Sequence, residues 1–316
     1  MDLKMECANA KKIGISAHIR PDGDAVGSSM ALYLYLKKLC PEAEVKLFSE
    51  TPPACFEHLK YVKEIDSEYV FDGIFDVFFA LDTSADRLGK AEGFFKNAKK
   101  KINIDHHISN KNGCGDVNEV KPDVGSTAEV LYGIFEEAYL DEDIAVALYT
   151  GMIHDTGVFQ YSNTSPRTLE IAAKLIGFGF NFSKIIEESF YQKTYLQNQI
   201  LGRALMESLR FMGGRCIVSC VDKKMMDFYN VVPSDLDGIV NQLRNIKGVD
   251  CAIFMYETGL MEYKVSMRSN ECVDVSKVAS FFGGGGHMRA AGCTMKGTVH
   301  DVINNLSLHI AEQLKR

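Results

Sequence analysis

Apolar positions in the first half of the chain fall in short runs rich in β-branched and aromatic residues, at Lys12 to Ala17, Val45 to Phe48, Asp76 to Leu81 and Lys101 to Ile104, separated by stretches of helical period. That alternation predicts successive βαβ units and a mostly parallel sheet. Between the strands, Ala25 to Leu39 reads as a helix. Ser126 with Glu129 forms a capping-box pattern that predicts a helix to about Ala138, and a further helix is expected from Ile144 to Ile153. Ser165-Pro166 supplies an N-cap and an N1 proline to a periodic stretch that stops near Gly177.

From Ser183 to about Leu209 the period stays helical, with no glycine before Gly202, which suits a connector. The character then changes. Arg215 to Val221, Cys251 to Tyr256 and Tyr263 to Met267 predict strands, with helices at Asp235 to Asn245 and Val299 to Leu314. The expected fold is α/β: a doubly wound, mostly parallel sheet domain over 1–185, a helical connector over 186–205 and a smaller mixed-sheet α/β domain over 206–316. The 316-residue length agrees with two units, and no internal repeat or low-complexity tract interrupts them.

Composition narrows the function without naming it. No apolar run reaches the roughly 20 residues of a membrane helix, and the first residues lack the apolar core of a secretory signal, so a cytoplasmic protein is expected. Nine cysteines without Cys-x-x-Cys spacing argue against a disulfide framework or zinc ribbon. A formal charge of −7 disfavours broad wrapping of long nucleic acid and favours small or end-bound substrates.

In parallel α/β sheets ligands bind beyond the carboxyl ends of the strands. The residues there are unusually acidic and rich in histidine. The first strand runs into His18-Ile19-Arg20-Pro21-Asp22-Gly23-Asp24, the third ends at Asp82, and the fourth at Asp105-His106-His107; Asp155 follows a predicted helix in His154-Asp155-Thr156-Gly157. So many carboxylates brought into one crevice would raise one another's pKa values unless cations neutralised them. An oxygen-rich set with some imidazole and no thiolate suits manganese or magnesium, with zinc as an alternative.

These four motifs, in this order and spacing, resemble those of the DHH-family phosphoesterases. The resemblance implies two divalent metal ions, Mn2+ foremost and Mg2+ as the alternative. It gives His18 and Asp22 to one ion and Asp24, His106 and Asp155 to the other, with Asp82 bridging both. It makes Asp105 an orienting carboxylate and turns His107 toward substrate phosphate. In the second half, Gly283 to Gly292 resembles the glycine-rich motif of the DHH-associated C-terminal domain. Gly285, Gly286 and His287 would then meet a substrate phosphate, helped by a helix beginning after the glycines, and Arg268 resembles the family's phosphate-binding arginine.

The implied activity is hydrolysis of short single-stranded RNA or small nucleotides such as pAp, as in the bifunctional oligoribonuclease and pAp-phosphatase group, with catalysis assigned to His107, Asp82 and Asp105. Cyclic or linear dinucleotides, polyphosphate, and an inactive nucleotide-binding regulator are the alternatives. The resemblance admits a homodimer and implies no membrane partner. Ser126 and Thr127 have a sufficient explanation as a helix cap, and His154 reads equally as a hydrogen-bonded structural residue. Arg20, Arg289, His58, His300 and His309 stay outside the expected site.

Overall fold

The computed structural model describes residues 1–314, which divide into two compact units, one over Met1–Gln192 and one beginning at Lys193. The first is built on five parallel strands, β1 (Lys12–Ser16), β2 (Glu44–Phe48), β3 (Val77–Leu81), β4 (Lys100–Asp105) and β5 (Val117–Val120), in the order β2-β1-β3-β4-β5. The central strand β3, Val-Phe-Phe-Ala-Leu, is buried along its whole length. Its alternate side chains serve two cores. Val77, Phe79 and Leu81 pack with the helices Gly23–Leu39 and Glu142–Asp155 on one face, while Phe78 and Ala80 join Phe48, Phe75 and Phe95 on the other. This is the all-apolar strand expected where helices cover both faces of a parallel sheet.

Strand order reverses between the neighbouring β1 and β3, which makes their carboxyl ends the topological switch point where open α/β sheets bind ligands. The two helices above that point meet almost backbone to backbone. A Cβ on Gly27 would lie 2.6 Å from both Ala147 O and Gly151 N, so only glycine permits this approach. One helix carries Asp24 and the other Asp155, and their separation is thereby fixed by main chain.

Three expected helices end or break earlier than the periodicity predicts. The one opened by Ser126 runs only over Thr127–Tyr132, because the chain turns at Gly133 to stack Phe135 on Tyr35 with ring centroids 4.0 Å apart. The expected continuous helix from Ser183 to Leu209 is Phe182–Ile186, a π-helical turn Glu187–Tyr191, extended backbone at Gln192, and a new helix Tyr195–Met206. Thr194 and Gln197 form the capping box of that last helix. Asp235 to Asn245 splits at Gly238 into a 3-10 turn and the helix Ile239–Arg244.

Among its described residues the second unit holds six strands: β6 (Leu209–Phe211), β7 (Cys216–Val221), β8 (Cys251–Gly259), β9 (Glu262–Ser269), β10 (Gly285–His287) and β11 (Ala290–Lys296). They lie in the order β10-β11-β9-β8-β7-β6, parallel between β7 and β8 and antiparallel elsewhere, a mixed sheet. One face packs on the helices Val275–Phe281 and Val299–Leu314. The other is covered over β7 and β8 by Tyr195–Met206, Lys223–Tyr229 and Ile239–Arg244. The helix expected after the glycines is absent: Gly286, at φ +144, lets the chain enter a hairpin, and β10 and β11 pair instead.

Cys7, Cys216, Cys251 and Cys293 are core residues, and all nine cysteines are free thiols. Among the described residues no helix is long and apolar enough to cross a membrane.

Replacing Gly27 by valine should wedge the two helices apart and lower stability by about 2 kcal/mol or more, the range for overpacking a closed contact. Chemical denaturation of the purified variant measures this; an unchanged midpoint would show that the helices can separate at no cost.

Candidate active site

Each acidic and imidazole side chain at the switch point is placed by an ordinary piece of secondary structure. Asp22 is the N-cap of the helix Gly23–Leu39: its Oδ1 accepts from Asp24 N and Ala25 N at 3.1 Å each, while Oδ2 lies 3.5 Å from His18 Nε2. Asp24 sits in the first turn with no exposed surface, and its two oxygens accept from Thr127 N at 2.6 Å and Ala128 N at 3.0 Å, the opening amides of another helix. Asp82 follows β3 with φ +54, a left-handed conformation that aspartate tolerates better than most residues and that marks a constrained position. Asp155 closes the helix Glu142–Asp155.

The histidines are oriented by the main chain. His18 Nδ1 lies 2.8 Å from Ile19 O and His106 Nδ1 lies 3.3 Å from Val124 O, which makes Nδ1 the protonated nitrogen of each neutral ring and turns the Nε2 lone pairs inward. There, His18 Nε2 meets Asp22 Oδ2 and Asp82 Oδ2, each at 3.5 Å. His106 Nε2 meets Asp155 Oδ2 at 2.9 Å, Asp82 Oδ1 at 3.5 Å and Asp24 Oδ2 at 4.0 Å. The two oxygens of Asp82 thus serve the two imidazoles separately. His106 Nε2 is buried and makes no properly directed hydrogen bond despite these close oxygens, a geometry that suits a shared cation.

Two donor groups are compact enough to hold a metal ion, His18 with Asp22 and Asp82, and Asp24 with His106 and Asp155; Asp82 also forms such a group with His106 and His107. The electrostatics agree. Burial alone would lower the His18 pKa, but hydrogen bonding to Asp22 and Asp82 pushes it up to about 10. His106, likewise opposed by burial, is pushed up to about 11, chiefly by Asp155. Burial raises the Asp24 carboxyl well above the usual range, with further upward pressure from the charges of Asp82 and Asp155. The cluster therefore holds positive charge, as protons or as metal.

Asp105 is fully buried and lies behind the cluster. Its Oδ1 accepts from His106 N at 2.7 Å and lies 2.8 Å from His107 Nδ1, while Oδ2 accepts from Asn110 Nδ2 at 2.7 Å. Although burial works against it, these bonds hold Asp105 below its ordinary pKa and thus ionised. Asn110, Asn103 and Thr127 are contributors that the motifs did not reveal. Asn103 Nδ2 donates to Ala80 O and Thr83 O, tying β4 to the end of β3, and Thr127 Oγ1 donates to Asp82 Oδ1 at 2.9 Å. The capping pattern at Ser126 and Thr127 was the visible signal; its second use, in gripping two site carboxylates, depends on tertiary structure. His154 Nε2 lies 3.1 Å from Ser189 Oγ, and its ring makes edge contacts with Phe56 and Phe190.

In the second unit, register places His287 opposite Ala290, Ala290 opposite Arg268 and Arg268 opposite Ala252, so His287 and Arg268 share one face across a small alanine. Arg268 is steadied by Asn241, whose Oδ1 accepts from its Nε at 3.1 Å. Gly285 and Gly292 form the next row with Ser266. Gly286 has a conformational reason to be glycine, but a Cβ on Gly285 would meet nothing within 4 Å.

Residues 12–152 match the family model described as DHH family, N-terminal domain, and residues 213–316 the model described as DHHA1 domain. The chain is 32% identical over 295 residues to the bifunctional oligoribonuclease and PAP phosphatase NrnA of Thermus thermophilus, covering 90% of this chain and 84% of that one. To the enzyme of the same name from Bacillus subtilis it is 26% identical over 284 residues, covering 88% and 87%. Among solved structures, an exopolyphosphatase-related protein from Bacteroides fragilis has the same fold, with TM-score 0.89 at 24% identity over 98% of this chain and 94% of that one. RecJ in complex with Mn2+ from Thermus thermophilus shares it at TM-score 0.59 and 14% identity, over 99% of this chain and 54% of that one.

The raised histidine pKa values have a consequence for protein stripped of divalent ions by a chelator. A histidine moved from 6.5 to about 10 stabilises the fold fully below pH 6.5 and loses that contribution as pH rises through its folded value. Urea unfolding between pH 6.5 and about 8.5, below the ordinary range of unfolded thiols, should show stability falling, by about tenfold or more in the folding constant. Excess divalent cation should flatten the curve. A chelated protein whose stability rises across this window would contradict this charge balance.

Proposed function

The chain belongs to the DHH family of phosphoesterases, and from that premise we propose that it hydrolyses short oligoribonucleotides and pAp, using two divalent cations held by the cluster at the switch point of its first unit. The observation that carries this reading is the division of labour at Asp82, whose Oδ2 faces His18 and whose Oδ1 faces His106. His18 and Asp22 are assigned to one ion, Asp24, His106 and Asp155 to the other, and Asp82 to both. The oxygen-rich donor set, with imidazole nitrogens and no thiolate, favours Mn2+, with Mg2+ as the alternative. Cations bound there supply Lewis acidity toward a phosphoryl oxygen and lower the pKa of a bound water.

The remaining work belongs to the chain's own groups. Thr127 and the amides of its helix hold Asp82 and Asp24 in place. Asp105 fixes His107 through Nδ1, so that Nε2 is the nitrogen through which this ring addresses a phosphate oxygen. Burial would lower the His107 pKa, but Asp105 raises it overall, which favours the charged donor form that charge on a phosphate requires. Arg268, His287 and the Gly285-Gly286 backbone bind substrate phosphate on the face of the second sheet. The substrate class is supported by the Thermus and Bacillus relatives, both named for oligoribonuclease and PAP phosphatase activity. A cytoplasmic place of action accords with such substrates.

Phosphate release from pAp and loss of a two-nucleotide RNA should both occur with Mn2+ supplied, and a panel including polyphosphate and cyclic dinucleotides checks the assignment. Binding without turnover of any of these would make the protein a regulator rather than an enzyme. Asp82→Asn, which keeps the backbone conformation accessible, should reduce kcat by about a thousandfold or more with folding retained; near-normal turnover would remove Asp82 from its bridging role. Gly285→Val should leave the melting temperature unchanged, since its side chain enters open space, yet raise KM about tenfold or more. An unchanged KM would place the substrate elsewhere.

A further inference from the structure

The outer half of the second sheet differs from the inner half in what covers it. Along β9 the residues Tyr263, Val265 and Met267 face one core, and along β11 Ala291, Cys293 and Met295 do the same. The alternate residues Glu262, Lys264, Ser266 and Arg268 face the other way, together with Ala290, Gly292 and Thr294. Over β8 that second face is closed, with Ala252 and Phe254 buried among the helical side chains. Over β9 and β11 it stays partly open, and its floor is made of small residues.

The polar groups on this floor stand in register. Arg268, Ser266 and Lys264 follow one another at every second position, so Arg268 and Lys264 are about 13 Å apart along the strand with a hydroxyl between them. Gly292 lies opposite Ser266 and Thr294 opposite Lys264, which leaves little above the backbone beside each polar group. Among the described residues Lys264 enters no ion pair. One further step along, Glu262 lies opposite Lys296, and the two pair at 3.6 Å. Among the described residues the Lys264 ammonium therefore has no carboxylate partner, whereas the charge at the next position is paired.

We propose that this strip carries the successive phosphates of a short single-stranded RNA, with Arg268 holding one phosphate, Lys264 a later one, and the Glu262–Lys296 pair ending the track. The inference rests on the substrate reading above and deepens it: the strip acts as a length gauge. A substrate with a single nucleotide needs only the Arg268 end, whereas a longer strand reaches Lys264. Beyond that point a further phosphate meets a carboxylate. Ser266 and the exposed backbone between the two cations accept strands of any sequence, because none of these groups reads a base.

The test compares full-length wild-type protein with Lys264→Ala on pAp and on RNAs of two to six nucleotides in Mn2+, with folding of each variant checked by thermal melting. The expected result is an unchanged KM for pAp and a five- to tenfold higher KM for RNAs of three nucleotides or more, at constant kcat. The salt dependence of KM should also become shallower for those longer RNAs alone, as loss of one phosphate contact requires. Glu262→Gln should extend tight binding to longer RNAs. A Lys264→Ala effect equal at all lengths, or no effect at any length, overturns the gauge while leaving the RNA reading intact. Failure of the wild-type protein to cleave any RNA, with turnover of pAp or another phosphoester, removes the RNA reading and the gauge together.

Discussion

Like-charge repulsion is the constraint around which the first unit is organised. Asp22, Asp24, Asp82 and Asp155 are held within reach of one another at the end of a parallel sheet, and Asp24 and Asp82 are removed from water. The fold makes this tolerable by surrounding each carboxylate with main-chain amides, a threonine hydroxyl or an inward imidazole nitrogen. None of these neutralises the set. The net negative charge that remains would attract the cations proposed above, so the electrostatic liability of the metal-free cluster and its proposed function have one origin.

The switch-point topology explains why so few elements suffice. β1 and β3 are adjacent and deliver His18 and Asp82 side by side, and β4 brings the Asp105-His106-His107 triplet next to them. The helices Gly23–Leu39 and Glu142–Asp155 contribute one end each, Asp24 from a first turn and Asp155 from a last. Rigid secondary structure thus sets most of the cluster's geometry, and the loops supply the segment that carries His18, the left-handed turn at Asp82 and the bend that places His106 and His107.

Much of this was legible in the sequence because it is local. The strand expected over Asp76 to Leu81 is present as β3, and the polar residues that follow the apolar runs come together at the candidate site. What escaped was set by tertiary structure. Thr127 reads as a cap in sequence, and only folding brings Asp24 and Asp82 to it. β5 and β10 are too short and polar to announce themselves, and the glycines at 283–286 suggested a helix start where pairing with β11 makes a strand. The break at Gln192 lies inside an unbroken helical period, and the capping box at Thr194 and Gln197 was its one local mark.

The glycine contact between the two long helices also bears on how the cluster responds to what occupies it. Side chains that approach through rotamers can yield to a larger or smaller ion at little cost. Backbones already touching at Gly27 and Gly151 cannot move closer, and they move apart only by lifting whole helices off a packed core. The spacing between Asp24 and Asp155 is in that sense a stiff caliper. For the cations proposed above, discrimination at this position would be partly a matter of mechanical compliance, decided by ionic radius against the rigidity of the main chain and not by donor chemistry alone.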